Sequence, residues 1–157
     1  MSQSPIEVGA KAPAFTLPRD GGGEVSLTDY AGKPVVIFFY PKASTPGCTT
    51  EARDFTSLLG EFEAAGAVVL GISKDSVKKQ ENFAAKQELG MALLSDADGD
   101  TCERYGVWGE KQMYGKSFMG ITRATFLIGA DGTVVQSWPK VKVAGHAEEV
   151  LAAVRAL

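Results

Sequence analysis

Cysteine and histidine are almost missing from this 157-residue chain, which has two cysteines, Cys48 and Cys102, and one histidine, His146. Two thiols cannot build a disulfide framework. With a single histidine beside them, a four-ligand zinc site of Cys and His is excluded as well. Long hydrophobic runs are also missing. The strongest, 35–40 and 67–72, fall far short of the ~20 residues that span a bilayer. Residues 1–13 hold no apolar core of signal-peptide length. Charge of one sign is scarce, with 16 Lys and Arg against 19 Asp and Glu and a net charge of -3. The pair Lys140 and Lys142 is too small for a basic patch, so nothing calls for nucleic acid or an anionic membrane. Free thiols without a disulfide framework fit a cytosolic, reducing compartment.

What is present fits one globular domain over 1–157, with 45% hydrophobic and 22% charged residues. No repeat, low-complexity tract or linker interrupts it. Residues 24–27 read as a short strand after Gly21-Gly22-Gly23. Val35-Val36-Ile37-Phe38-Phe39-Tyr40 reads as a strand buried on both faces, ended by Pro41. From Thr49 to about Ala65 apolar residues recur at spacings of three and four, predicting one helix stopped by Gly66. Residues 67–73 predict a second buried strand. Asp75 or Ser76 caps a helix running to Leu89. A short strand over 91–95 and a short helix over 99–105 follow. Segments 124–129 and 133–138 flank Ala130-Asp131-Gly132, a hairpin signal. A last helix covers 146–156, with His146 read as a surface residue at its start. Strand-helix-strand-helix, then hairpin and helix, predicts an α/β fold of thioredoxin-like type, a mixed central sheet flanked by helices.

The chemistry concentrates at Cys48. Its thiol stands at a predicted helix N-terminus, with the Thr45 hydroxyl three residues before and the Glu51 carboxylate three residues after. A cysteine with a pKa near ~8.5 is only a few per cent thiolate at pH 7. Bringing it to about 6 takes roughly 3.4 kcal/mol. A helix N-terminus supplies about 0.3–1 kcal/mol, and ~2 at best. The helix is therefore insufficient, and a nearby cation is required. Thr45 is positioned to donate a hydrogen bond to the sulfur. Pro41 and Pro46 stiffen the loop, and Gly47 lets the backbone approach an anion closely. Glu51 cannot help a thiolate directly; its sensible role is to orient an arginine.

Pro41-x-x-x-Thr45-x-x-Cys48 resembles the peroxiredoxin active-site pattern. The longer string from Phe39 to Glu51 resembles the bacterioferritin comigratory protein, or peroxiredoxin Q, branch. Met113-Tyr114-Gly115-Lys116, Gly120-Ile121-Thr122-Arg123-Ala124-Thr125-Phe126-Leu127-Ile128 and Lys140-Val141-Lys142-Val143-Ala144-Gly145-His146 extend the likeness across the chain from Ala12 onward. The resemblance implies a thiol-dependent peroxidase acting on hydrogen peroxide and organic hydroperoxides. Cys48 is then the peroxidatic cysteine and Arg123 the missing cation. It implies no metal or organic cofactor, a monomer, and reduction by thioredoxin or a glutaredoxin-like thiol carrier. The alternatives are a thiol–disulfide oxidoreductase, disfavoured because Thr45 stands where a C-x-x-C needs its first cysteine, and a non-enzymatic thioredoxin-fold interaction module.

The chain departs from that branch in its second cysteine. The two positions where relatives carry a resolving cysteine are Arg53 and Ala84 here. Three readings follow: a one-cysteine peroxidase resolved by an external thiol, Cys102 as the resolver, or Ala84 as a replacement of a cysteine made to trap the reduced state. Cys102, in a short predicted helix with Tyr105 three residues on, reads first as a buried structural thiol. Trp108, Met113, Tyr114, Phe118, Met119 and Trp138 are candidates for an apolar collar around organic peroxides, or for packing.

Overall fold

The run 35–40 becomes the central strand because every residue in it can be buried on one face or the other. A computed structural model describes residues 5–157; the first four residues and the side chain of Met113 lie outside the described set. Strands β1 (Thr16–Pro18) and β2 (Glu24–Ser26) form a small antiparallel pair. Strands β3 (Val35–Phe39), β4 (Val68–Ser73), β5 (Ala92–Ser95), β8 (Ala124–Ile128) and β9 (Val134–Trp138) form a five-stranded sheet in the order β5-β4-β3-β8-β9. β3, β4 and β5 run parallel; β8 is antiparallel to β3, and β9 to β8. β6 (Trp108–Met113) and β7 (Lys116–Ile121) form a separate hairpin.

The alternation of side chains along β3 divides the interior into two layers. Val36, Phe38 and Tyr40 face one layer, with Cys48, Ala52 and Phe55 of α1 (Pro46–Ser57) and Phe62 of α2 (Leu59–Ala64). Phe83 of α3 (Val77–Gln87) and Val150, Leu151 and Val154 of α5 (His146–Arg155) complete that layer. Val35, Ile37 and Phe39 face the other layer, with Phe15, Phe126 and Tyr105 and with Cys102 of α4 (Thr101–Arg104). The thioredoxin-like mixed sheet flanked by helices is thus the observed architecture.

Two local expectations are corrected, and one element is new. The single helix over 49–65 starts three residues earlier, at Pro46, and is broken at Leu58, whose φ of -101° and ψ of 2° leave the helical ladder. Ser57 and Gly60, both weaker helix formers than alanine, bracket the break. Starting at Pro46 puts proline in the first turn, where its missing N–H costs nothing. His146 is buried rather than on the surface, at 3% exposure. Its ring packs edge-on against Phe55 and Trp138, and its Nε2 pairs with the Thr125 hydroxyl at 2.8 Å. The β6–β7 hairpin was not anticipated at all.

Candidate active site

Register places the site. β3 and β8 are antiparallel with Phe39 opposite Ala124. The residue just before β8, Arg123, is therefore brought beside the loop that leaves β3. That loop is tied down on the other flank, where the Ala43 amide donates to Asp75 Oδ2 at 2.7 Å. Asp75 also accepts from the Ser73 hydroxyl at 2.6 Å, at the end of β4. Ser44 takes a left-handed φ of 67° to make the bend.

In α1, Thr49 is the first residue to bond back, its amide donating to the Thr45 carbonyl at 2.9 Å. The amides of Gly47 and Cys48 precede it and have no acceptor within the helix. They offer a partial positive end next to the Cys48 sulfur. The Arg123 guanidinium forks across it. Nη2 donates to Cys48 Sγ at 3.5 Å, and Nη1 donates to Glu51 Oε1 at 2.8 Å. Arg123 reaches the sulfur by passing over Gly47, where an added Cβ would stand 3.0 Å from Nη2. Glycine leaves the guanidinium room to lie this close.

The structure brings Cys48, Arg123 and Glu51 together. Thr45 is the helix N-cap, but its hydroxyl donates to the Lys42 carbonyl at 2.8 Å rather than to the sulfur. It closes the loop in place of the expected sulfur contact. Pro41, half-buried, ends β3 and starts this loop. Cys48 is 1% exposed, so the sulfur is more enclosed than a freely accessible nucleophile.

Glu51 is almost completely buried, and only Oε1 has a partner; Oε2 has none among the described residues. Burial pushes its carboxyl up to about 7, with Arg123 pulling the other way. Folded Glu51 therefore keeps a proton that the unfolded chain, titrating near 4.5, has lost. Stability falls as pH rises from there through 7, by up to about 3 kcal/mol. Glu51→Gln keeps an oxygen for Arg123 and removes the titration. Urea denaturation between pH 5 and pH 8 is expected to show a smaller loss of stability in the variant than in the native protein. Equal losses overturn this assignment of the charge.

Cys102 lies on the far side of the sheet from Cys48, in the other core layer. Burial first, then the neighbouring Asp96, push its thiol up. Asp96, fully buried, accepts from the amides of Thr101 and Cys102 at 3.1 and 2.8 Å. The residue is a packed, protonated thiol, and in this arrangement the sheet stands between it and Cys48. Cys102→Ala should leave peroxide turnover unchanged and lower stability by about 1 kcal/mol through the small cavity it leaves. A thiol-coupled turnover assay and a denaturation midpoint check both halves. Ala84, half-buried on α3, packs instead against the same layer as Cys48. Arg53 is exposed on α1.

The described aromatic and methionine candidates do not form one collar, and the Met113 side chain lies outside the described set. Trp108 packs on the far layer beneath the Lys74 ammonium, 5.1 Å from its ring centroid. Trp138 donates to Glu149 at 2.9 Å and packs on His146. Tyr114, Phe118 and Met119 are exposed on the hairpin. The residue that sequence reasoning passed over is Lys111, half-buried on β6, whose ammonium senses both Arg123 and Cys48. Among the described residues no cluster of acidic, His and Cys side chains is built to hold a metal ion, and no helix is long and apolar enough to cross a membrane.

Residues 8–137 match the AhpC/TSA family. The chain is also 51% identical over 156 residues to peroxiredoxin Bcp of Xanthomonas campestris, covering 99% of this chain and 98% of that one. It is a peroxiredoxin of the AhpC/TSA family. This peroxiredoxin is 45% identical over 148 residues to Escherichia coli K12 peroxiredoxin Bcp, covering 94% of this chain and 95% of the other. It is similar to a solved structure of the Xanthomonas campestris bacterioferritin comigratory protein, with a TM-score of 0.86 and 54% identity over 90% of each chain. That structure concerns alkyl peroxide reduction by the Xanthomonas protein, seen in trapped intermediate and ligand complexes. The resemblance read from the sequence therefore holds at the level of family and branch.

Proposed function

We propose that this peroxiredoxin reduces hydrogen peroxide and organic hydroperoxides through Cys48, with Arg123 as the group that holds its sulfur anionic. The observation that carries the reading is the fork of Arg123, with one nitrogen on Cys48 Sγ and the other on Glu51. A guanidinium keeps its proton at any working pH and presents parallel donors in a fixed plane. The Cys48 thiolate attacks one oxygen of the O–O bond. That bond breaks, the second oxygen leaves as alkoxide or hydroxide and takes a proton from water, and the sulfur becomes a sulfenic acid. Charge moves from sulfur to the leaving oxygen. Arg123 and the free amides of Gly47 and Cys48 are fixed where that charge travels, so little reorganisation is needed. Thr45 joins them once its hydroxyl turns from the Lys42 carbonyl, while Pro41 and Glu51 hold loop and guanidinium in place.

The sulfenic acid then condenses with an external thiol to a mixed disulfide and water, and a second thiol releases reduced Cys48. Thioredoxin or another thiol carrier, of glutaredoxin-like kind, supplies those thiols. This assignment is supported by Ala84 and Arg53 standing where a resolving cysteine is absent, and by Cys102 lying in the opposite layer. On this reading the protein works as a single-domain monomer in the cytoplasm. Intact-mass analysis after one equivalent of hydrogen peroxide tests the cycle. A gain of one oxygen, assigned to Cys48 by peptide mapping, is expected; a loss of two hydrogens, marking an internal Cys48–Cys102 disulfide, overturns external resolution.

A further inference from the structure

Behind the Cys48–Arg123–Glu51 fork the β6–β7 hairpin carries a half-buried lysine, Lys111. Lys111 and Phe118 stand opposite each other on one face of the β6–β7 hairpin, while Glu110 and Met119 occupy the other face. The stem of Lys111 runs along the hairpin across Gly120. A Cβ on that glycine stands 3.0 Å from Lys111 Cδ and 3.3 Å from the Phe118 ring, so the groove exists because residue 120 has no side chain. At the end of the groove Lys111 Nζ donates to the Ile121 carbonyl at 2.9 Å. Ile121 is two residues before Arg123. The intervening segment is pinned by the Thr122 amide on the Val107 carbonyl at 2.8 Å and by the Val141 amide on the Arg123 carbonyl at 3.0 Å. The lysine is a third tether on the strand that delivers the guanidinium.

We propose that Lys111 is a positioning residue of the peroxidatic site, holding the segment that carries Arg123 by the Ile121 carbonyl. The inference rests on the peroxidase reading above for its consequence, but not for its geometry. The tether makes the case: Lys111 Nζ holds the Ile121 carbonyl two residues before Arg123, on the segment that delivers the guanidinium to Cys48 Sγ. Its own environment agrees: burial and then Arg123 lower its pKa, and Cys48 raises it, so the three groups lie within one another's fields. Among the described residues, Arg123 from the β7–β8 connection donates to Cys48, Glu51 from α1 pairs with Arg123, and Lys111 from β6 and Tyr40 from the end of β3 feel the Cys48 sulfur. Burial raises the Tyr40 hydroxyl, which therefore stays neutral and donates to Gln80.

The test uses the full chain with Lys111→Met and Lys111→Arg. It reads the pH profile of iodoacetamide alkylation at Cys48 by peptide mass, next to kcat/KM for hydrogen peroxide. Lys111→Met should move the alkylation profile to higher pH, because Arg123 loses its tether. Alkylation at pH 6 should slow by about threefold to tenfold, and kcat/KM should drop by about tenfold. Lys111→Arg, which keeps the charge, should return both to within about twofold of the native protein. Gly120→Val, which fills the groove without changing charge, should shift the profile in the same direction as Lys111→Met. An alkylation profile for Lys111→Met that superimposes on the native one overturns the proposal, as does an arginine variant as slow as the methionine variant. Should the native protein consume no peroxide, the peroxidase reading is lost, while the alkylation comparison still decides the role of Lys111.

Discussion

Replacing Cys48 by serine is expected to reduce peroxide consumption to the uncatalysed background. The substitution exchanges one atom and leaves the surroundings in place. The side chain remains at the third position of α1, beneath Arg123 Nη2 and in the helical core layer. A buried hydroxyl there costs about 1–3 kcal/mol when it lacks a partner, and Arg123 supplies one. The variant should therefore fold. It cannot act, because a serine hydroxyl ionises far above any pH at which a single guanidinium makes it an anion, and no histidine stands beside it as a base. The lone histidine, His146, is engaged with Thr125. Stopped-flow peroxide consumption on native, Cys48→Ser and Cys102→Ala proteins reads the contrast directly. Retained turnover in the serine variant overturns the assignment of the nucleophile.

Much of this site is legible in sequence because it is local. The spacing of Pro41, Thr45, Cys48 and Glu51 is set by one loop and one helical turn, and the run 35–40 has no better fate than a central strand. Arg123 is far away in the chain, and no periodicity connects it to Cys48; only the likeness of its surrounding motif did so. Physically the connection is a strand register, Phe39 against Ala124, which a linear sequence does not display. The β6–β7 hairpin was missed because its turn is Tyr114-Gly115, with φ of 54° and 77°. Both residues adopt left-handed conformations, as a tight hairpin turn requires, but tyrosine is a rare choice for the first. Lys111 escaped notice along with the hairpin, since a lysine next to a glutamate reads as ordinary surface. His146 was misplaced for a related reason. A polar residue at a helix start is usually solvated, and here Thr125 from β8 supplies the partner that permits burial.

Removing the guanidinium is the second large effect. Arg123→Met should lower kcat/KM for hydrogen peroxide by about two to three orders of magnitude, the loss typical of a preorganised charge-stabilising donor. The scaffold has reason to survive. The Val107–Thr122 and Arg123–Val141 backbone bonds do not involve the guanidinium. The buried partner also has an escape. Arg123 is what pulls the Glu51 carboxyl down against burial; without the arginine, Glu51 stays protonated to higher pH and no bare carboxylate is stranded in the core. Sign follows from the same balance. With the cation gone, the Cys48 thiol should ionise at higher pH, so activity of the variant should recover partly as pH rises, whereas loss of a structural prop leaves the pH profile unmoved. Arg123→Lys restores a charge but not the fork: one ammonium cannot hold the planar geometry that serves Sγ and Oε1 together. It should fall between the native protein and the methionine variant. An Arg123→Met protein within about threefold of native activity removes the cation from the mechanism.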